Sequence, residues 1–281
     1  MSEPTAPSPA RARRPGIAVL DCRDAAAFAA GHLPGAGHVP LEALEARRYE
    51  LPPRDAALLV VADDPRTARA AAARIAALGY AAVEWLDMPW HALLEEAPDH
   101  GPAARLWRPS PFLEARLPLV PRGRALDLAA GAGREAVFLA MHGFEVEAID
   151  HAEEALGWAH ALATRHGVTI TTRAMDLEAH GASFPESRFA LVTVFRFLHR
   201  PLLPVIAAAL APGGHLVYET FRRGQERFRR PTHPRFLFWP GELERAFPTL
   251  EIVAYEESDP PHGPVMARLH ARRPASPGAA P

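Results

Sequence analysis

The sequence predicts an α/β protein with two parallel-sheet domains, and three observations support that fold class. Short apolar runs typical of buried strands alternate with helix-like segments along most of the chain. The length of 281 residues suits two domains of ordinary size. A turn-rich stretch, residues 98–103, separates the two groups of elements. We therefore expect a first domain at residues 17–97, a linker at 98–120 and a second domain at 121–273.

The composition excludes several classes of partner and location. The hydrophobic share of 48% supports sizeable cores, and the net charge of −2 gives no overall attraction to nucleic acid or acidic membranes. A single cysteine, Cys22, excludes an internal disulfide and fits a reducing compartment. No apolar run approaches the length of a membrane span. We expect a cytoplasmic protein with disordered tails at residues 1–16 and 274–281.

The first domain has the pattern of a small parallel sheet with helices on its faces. A strand ends at Asp21, and a helix follows as far as Gly31. Residues 31–40 are dense in glycine and proline, which is typical of a loop. Further strands are predicted at residues 56–61 and 82–86, with a helix at 66–78 between them.

Two motifs of this domain, Asp21-x-Arg23 and Gly31-His32-Leu33-Pro34-Gly35-Ala36, resemble those of the rhodanese domain. The resemblance implies that the loop after the strand ending at Val61 should open with a persulfide-carrying cysteine. Here the loop reads Ala62-Asp63-Asp64-Pro65, and its two carboxylates are placed to cap the next helix. We therefore expect a rhodanese-like module without sulfurtransferase activity that docks a partner, self-associates or senses a ligand.

The other reactive side chains of this domain favour structural roles. Strand alternation puts Cys22 on the opposite face from Asp21 and Arg23, which predicts a small buried hydrophobe and not a nucleophile. His32 and His38 have no thiolate or acid at ligand spacing, so we predict no metal site.

The linker carries two large apolar side chains, Trp107 and Phe112, with Arg108 between them. Ser110-Pro111 can start a short helix, because proline suits the first helical position. Two interpretations stay open. The aromatic side chains form a clasp over the core of the second domain, or Trp107 and Arg108 line a substrate lid.

The second domain alternates strands and helices and ends in a hairpin. Strands are predicted at residues 125–129, 145–150, 168–173, 188–195, 215–220, 250–256 and 265–271, of which the last two form the antiparallel hairpin. Helices are predicted at 134–142, 152–166, 201–210 and 240–247, and a turn at 211–214. This order predicts a Rossmann-like sheet of seven strands.

The first strand of this domain leads into Gly131-Ala132-Gly133 and a helix. Glycines permit a tight turn and a close ligand, and the open helix end offers unpaired N–H groups. Asp150 ends the second strand, where a carboxylate can bind ribose hydroxyls. The spacing also fits a dinucleotide, but Asp127 in the first strand would repel a pyrophosphate and attract the cationic groups of S-adenosylmethionine. A nicotinamide cofactor, or a glycine-rich turn that binds nothing, is the alternative.

The matching positions of the second domain are residues 126–133, Asp150, Asp176-Leu177, the turn at 211–214 and the hairpin. Together they resemble class I S-adenosylmethionine-dependent methyltransferases, most of all the tellurite-resistance-type small-molecule branch. The resemblance implies S-adenosylmethionine as cofactor, with contacts from Asp127, Ala129, Gly131, Gly133, Arg134, Asp150, His151, Asp176 and Leu177.

By the same resemblance, Asp127 and the glycines hold the methionine part of the cofactor and Asp150 binds the ribose hydroxyls. Asp176 accepts from the adenine amino group, and Leu177 supplies a backbone donor. The sequence departs from the family motif at Ala129, which replaces its first glycine. A methyl group is tolerable there as long as φ of Ala129 stays negative.

Ligands of open α/β sheets bind beyond the carboxyl ends of the strands, which places a methyl acceptor near the ends of the fourth and fifth strands. His199 is the best candidate base by its intrinsic pKa, with a structural role before Pro201 as the equal alternative. Tyr218 and Glu219 are further catalytic candidates. The candidate substrate contacts are Trp107, Arg108, Arg196, Arg200 and Arg222, with solvated or capping arginines as the alternative for Arg196 and Arg200.

Three functions stay open. The preferred one is methyl transfer to a small molecule, such as a thiol or another chalcogen nucleophile. The second is an RNA or protein methyltransferase that uses the arginines and aromatics of residues 221–238. The third is a non-catalytic S-adenosylmethionine sensor. For the preferred function we expect no nucleic-acid or membrane partner, and a protein partner or self-association through the first domain stays open.

Overall fold

The computed structural model describes residues 16–94, 97–228 and 230–275. The chain divides into two compact units, Met1–Arg108 and Pro109–Pro281, and each unit contains its own sheet. The tails predicted to be disordered fall almost wholly outside the described residues. Along the described part of the chain, no helix combines the length and the apolar character that crossing a bilayer requires.

The first unit contains a four-stranded sheet in the order β2-β1-β3-β4, with every strand pair parallel. The small parallel sheet predicted from the sequence is therefore confirmed. One strand lies in the segment predicted as a loop, because β2 is only two residues long and begins at a glycine. The elements are β1 (Ala18–Asp21), α1 (Ala25–Ala29), β2 (Gly37–His38), β3 (Leu58–Val61), α2 (Pro65–Ala77) and β4 (Val83–Trp85).

The motif residues of the first unit stabilise its fold. Arg23 donates to both carboxylate oxygens of Asp21 over 2.6–3.1 Å, and both side chains are buried. The imidazoles of His32 and His38 stack on the ring of Phe28 at centroid distances of 3.8 and 4.4 Å. Each of these histidines also has a ring nitrogen 3.0 Å from a backbone carbonyl oxygen. These contacts account for the two histidines without a metal.

The second unit contains a seven-stranded sheet in the order β10-β11-β9-β8-β5-β6-β7, in which only β11 is antiparallel to its neighbours. This confirms the predicted Rossmann-like sheet and its closing hairpin. The strands are β5 (Arg124–Leu128), β6 (Glu145–Asp150), β7 (Thr171–Ala174), β8 (Phe189–Phe195), β9 (Leu210–Phe221), β10 (Glu251–Ser258) and β11 (Met266–Arg272). The helices are α3 (Pro111–Arg116), α4 (Arg134–Met141), α5 (Glu153–Arg165), α6 (Leu203–Ala209) and α7 (Glu242–Arg245).

Two irregularities interrupt the pairing of this sheet. The turn predicted at residues 211–214 lies inside β9, where pairing with β8 passes from Phe189–Leu210 directly to Leu191–His215. Two positions from β9 in the sheet, the register of the edge strand β10 shifts between Ile252 and Ala254. Ile252 and Val253, at this bulge, are exposed.

The antiparallel strands also bury a pair of histidines. His215 Nδ1 lies 2.8 Å from His270 Nε2, and both side chains are buried. Burial lowers the pKa of His270 to about 4, with further contributions from His215 and Arg116, and burial also lowers the pKa of His215. The fold therefore favours the neutral form of both rings.

We expect the free energy of unfolding to fall as the pH drops from about 6.5 towards 4, because the unfolded chain binds protons that the buried pair excludes. The slope from one such group is about 1.4 kcal/mol per pH unit. Urea titrations of the wild type and of His270→Leu at pH 7.5 and 5.0 measure it. The variant should lose less stability between the two pH values, and an unchanged difference would contradict this assignment.

Candidate cofactor and acceptor site

The loop between β5 and α4 forms the centre of the candidate site. Gly131 and Gly133 have φ of 52° and 77°, in the left-handed region that favours glycine. A Cβ atom on Gly133 would lie 2.5 Å from Cβ of Ala159, so this glycine also permits close packing of α5. A Cβ atom on Gly131 would meet nothing within 4 Å. The loop therefore leaves open space beside Gly131.

Ala129 corrects one expectation. Its φ is 55°, whereas the sequence interpretation required a negative value. The chain turns into the left-handed region directly after β5, so the position that carries alanine has the backbone conformation of the glycine it replaces. For a residue with a Cβ atom this conformation costs about 1–2 kcal/mol.

Asp127 lies at the carboxyl-terminal part of β5 and is 1% exposed. Thr193 of the neighbouring strand β8 donates its hydroxyl to Asp127 Oδ1 over 2.7 Å. Oδ2 of Asp127 is buried and has no hydrogen-bond partner among the described residues. Burial raises the pKa of Asp127 well above its usual value, and the nearby carboxylate of Glu135 raises it further. The site thus contains a buried acid whose second oxygen accepts no hydrogen bond from the described residues, which is unusual for a buried polar atom.

Asp150, at the end of β6, forms a hydrogen bond to the glycine loop between β5 and α4. Its Oδ2 accepts from the backbone N–H of Gly131 over 2.8 Å, and its Oδ1 accepts from that of Ala152 over 3.0 Å. His151 is largely exposed, with Nδ1 3.2 Å from Asp150 Oδ1. Because each carboxylate oxygen can accept more than one hydrogen bond, Asp150 keeps capacity for a ligand.

The structure brings the second predicted carboxylate to the same edge of the sheet. Asp150 pairs with Ala174 between β6 and β7, and Asp176 follows two residues later. The Asp176 side chain is exposed and accepts from the backbone N–H of Glu178 over 2.9 Å, whereas Leu177 is buried. This placement is compatible with the predicted adenine contacts.

The sequence interpretation missed Glu135 and Thr193. Glu135 follows the predicted contact Arg134 in the first turn of α4, and its Oε1 accepts from the backbone N–H of Ser110 over 3.1 Å. Burial raises the pKa of Glu135. The one signal for Glu135 in the sequence is its position, since it is a second acid two residues after Gly133. The contact of Thr193 with Asp127 depends on the pairing of β8 with β5 and has no such signal.

Beyond the carboxyl end of β8, where an acceptor is predicted to bind, some polar side chains are exposed and one is held in an ion pair. Arg196 is exposed with φ of 57°, and its backbone N–H donates to Glu219 O. His199 is partly exposed, and its side chain does not cap the following turn. Arg200 donates to both carboxylate oxygens of Glu242 over 2.6 and 2.9 Å. These contacts favour the structural alternative for Arg200.

Two catalytic candidates need correction. Tyr218 is fully buried, and its hydroxyl donates to the backbone carbonyl of Phe197 over 2.9 Å. Burial raises the pKa of this phenol. Glu219 is buried and its Oε2 accepts from Arg268 Nε over 2.6 Å. Both side chains follow the alternation of β9 into packed surroundings, so neither is presented to an acceptor.

The arginines of residues 221–238 are largely neutralised by local acids. Arg222 lies 3.3 Å from Glu257 and 3.5 Å from Asp259. Arg223 pairs with Glu226, Arg227 with Asp259 and Arg235 with Glu178. This pairing removes much of the positive charge that a phosphate backbone would need. Trp107 and Arg108 belong to the first unit, and their role in a lid stays a prediction.

The residues around the glycine loop suit S-adenosylmethionine better than a dinucleotide. The loop has space beside Gly131, and beneath it Asp127 presents an oxygen without a partner. Glu135 adds a second carboxylate, so the local acids favour a ligand with positive charge and oppose a pyrophosphate. The residues present therefore fit the cofactor that the sequence predicts.

Comparisons with known proteins point the same way. A family model described as "Tellurite resistance protein TehB" matches residues 110–261, and one described as "Rhodanese-like domain" matches residues 9–96. Hemagglutinin 1 of Eikenella corrodens is 28% identical over 141 residues, 48% of this chain and 46% of that protein. "Probable S-adenosyl-L-methionine-dependent methyltransferase TehB" of Haemophilus influenzae (strain 10810) is 28% identical over 152 residues, 52% of this chain and 50% of that protein.

Among solved structures, the crystal structure of TehB from Haemophilus influenzae is 20% identical, with a TM-score of 0.49 over 58% of this chain and 61% of that chain. The chain spans about half the length of the curated relatives it matches.

Proposed function

The chain belongs to the TehB family, whose model matches residues 110–261, and from that premise we propose that its second unit is an S-adenosylmethionine-dependent methyltransferase acting on a small molecule. The observation that carries the proposal is the buried oxygen of Asp127 that has no hydrogen-bond partner among the described residues, on the strand that leads into the glycine loop. Asp127, Gly131 and Gly133 would hold the amino-acid end of the cofactor, and Asp150 the ribose. Ala129, Arg134, His151, Asp176 and Leu177 complete the proposed contacts.

When bound, the cofactor supplies a methyl group on a positively charged sulfur. The task of the chain is then to align an acceptor with that group, and alignment of two reactants can contribute about 7–11 kcal/mol. His199 and Arg196 lie directly after β8, at the carboxyl edge of the sheet where ligands of such folds bind. We assign them to the acceptor: His199 as the base for an acceptor that arrives protonated, and Arg196 as the contact for an anionic one.

The proposed acceptor is a thiol or another chalcogen nucleophile, because these react without strong activation by the protein. This suits a site in which Tyr218 and Glu219 are committed to other contacts. The paired arginines of residues 221–238 speak against an RNA acceptor. The single cysteine agrees with a proposed cytoplasmic location.

Calorimetric titration of the full chain with S-adenosylmethionine, S-adenosylhomocysteine and NAD tests the cofactor. We expect micromolar binding of the first two and none of NAD. Release of S-adenosylhomocysteine is then followed with thiols and chalcogen oxyanions as acceptors. Binding of NAD alone would overturn the proposal, and tight cofactor binding without turnover on any acceptor would favour a sensor.

For the first unit we propose a docking or sensing role without sulfur transfer. Asp64 caps α2 through Thr67, where the persulfide loop of a rhodanese would begin. Cys22 is 4% exposed, and burial raises its pKa to about 12, so its thiol stays protonated and inaccessible.

We expect no thiocyanate formation from thiosulfate and cyanide above background. Iodoacetamide should modify Cys22 much more slowly in the native chain than in urea. Cys22→Ser serves as the control for both assays. Thiocyanate production that disappears in this variant would contradict the assignment.

A further inference from the structure

Two acidic side chains lie on either side of the glycine loop. Asp127 is the penultimate residue of β5, and Glu135 lies in the first turn of α4. Burial raises the pKa of each carboxyl, and the charge of Glu135 contributes to the shift of Asp127. Within the described residues, neither carboxylate has an ion-pair partner within 4.0 Å. Asp127 is 1% exposed and Glu135 is partly exposed, and a buried carboxylate beside a second negative charge is costly unless a cation joins them.

The charged groups that face this pair come from three elements. Arg134 lies on the same helix as Glu135, and Arg196 follows β8; the charge of each lowers the pKa of Glu135. Asp150, at the end of β6, adds negative charge near Asp127. The two arginines oppose the effect of burial on the pKa of Glu135, whereas the charge of Asp150 adds to the effect of burial on the pKa of Asp127.

The hydrogen bonds of the pair leave one oxygen of Asp127 without a partner among the described residues. Ser110 N–H occupies Oε1 of Glu135, and the Thr193 hydroxyl occupies Oδ1 of Asp127. Oδ2 of Asp127 is buried without a partner among the described residues, and the Glu135 side chain is partly exposed. An ammonium has three donors and no acceptor, so it matches this set of acceptors.

We propose that Glu135, together with Asp127, binds the ammonium of the amino-acid end of the cofactor. The proposal rests on the proposed function and assigns to Glu135 a contact that the glycine motif alone does not supply. Its bond from Ser110 fixes the carboxylate, since the Ser110 hydroxyl also accepts from Phe112 N–H and starts α3. Glu135 is thus positioned by α3 and α4 together.

Calorimetry with two ligands tests this contact on the full chain. S-adenosylhomocysteine carries the ammonium, whereas 5′-methylthioadenosine shares the nucleoside and the thioether but lacks the amino-acid end. Glu135→Gln keeps the size and an acceptor for Ser110 but removes the charge. We expect it to weaken S-adenosylhomocysteine binding roughly ten- to a hundredfold and to leave 5′-methylthioadenosine binding within about twofold.

Glu145→Gln is the matched control, because Glu145 is exposed at the start of β6 and pairs with Arg124 on the surface. It should change the affinity for neither ligand. Equal loss of both ligands in Glu135→Gln would overturn the proposal in favour of a structural role, and unchanged affinity for S-adenosylhomocysteine would overturn it outright. A wild-type chain that binds neither ligand would overturn the proposed function itself.

A second readout does not depend on affinity. An ammonium placed on Glu135 favours its ionised form, so binding should release protons in the acidic range where the carboxyl is partly protonated. Titrations near pH 5.5 in buffers of different ionisation enthalpy measure that release. We expect the largest release for S-adenosylhomocysteine with the wild type, a smaller release with Glu135→Gln, in which only Asp127 still meets the ammonium, and none with 5′-methylthioadenosine. Equal proton release from the wild type and Glu135→Gln would contradict the proposed contact.

Discussion

Asp150→Ala is expected to weaken S-adenosylmethionine binding by at least about a hundredfold. The substitution removes the acceptor of the Gly131 N–H and the proposed contact to the ribose hydroxyls at once. Hydrogen bonds to a charged group contribute about 1.5–3 kcal/mol each, and two of them account for that factor. Calorimetric titration of the variant with S-adenosylmethionine and S-adenosylhomocysteine measures the loss.

Two further variants separate the causes. Asp150→Asn keeps one acceptor for the loop but loses the charge, so its affinity should be intermediate. Glu154→Ala changes an exposed acid in the first turn of α5 and should bind like the wild type. Thermal unfolding must show a folded chain for each variant. Wild-type affinity in folded Asp150→Ala would remove Asp150 from the site.

Gly133→Ala is expected to lower the free energy of unfolding by about 2–5 kcal/mol. The left-handed backbone costs about 1–2 kcal/mol for alanine, and overpacking adds about 1–3 kcal/mol. The added Cβ would lie 2.5 Å from Cβ and 3.0 Å from Cα of Ala159, so α5 must shift. Urea titration measures the change.

Gly131→Ala is the matched comparison, because Gly131 shares the left-handed conformation but has no neighbour within 4 Å of an added Cβ. It should cost only the backbone strain of about 1–2 kcal/mol, while the methyl group occupies the space proposed for the cofactor and lowers affinity. Ala159→Gly in the Gly133→Ala background should restore part of the lost stability. Equal destabilisation by the two glycine substitutions would refute the packing argument.

The parts of the site that the sequence predicts are those set by local pattern. A strand, two glycines and a helix define the loop, and the carboxyl ends of β6 and β7 bring Asp150 and Asp176 to one edge because parallel strands end together. The alternation of elements likewise predicts a Rossmann-like sheet of seven strands. These features need only the spacing of apolar residues and turns.

The parts that the sequence does not predict depend on contacts between distant segments. The Glu135 contact requires Ser110, which is 25 residues away in sequence, and the Arg200–Glu242 pair spans 42 residues. The sequence predicts that Tyr218 lies in β9, but it does not show that the Tyr218 hydroxyl donates to the carbonyl of Phe197, the contact that argues against a catalytic role. At Ala129 the local prediction is wrong: the turn holds this residue at positive φ although alanine prefers negative φ.

The irregular edge strand β10 has a consequence for association between molecules. An exposed strand edge with Ile252 and Val253 offers unpaired backbone groups to any extended chain that arrives. The register shift at Val253 breaks the continuous row of donors and acceptors there. Glu251 and Glu256 of the same strand are paired with Arg272 and Arg116. The sheet therefore resists growth by strand addition, which opposes fibrous aggregation at high concentration.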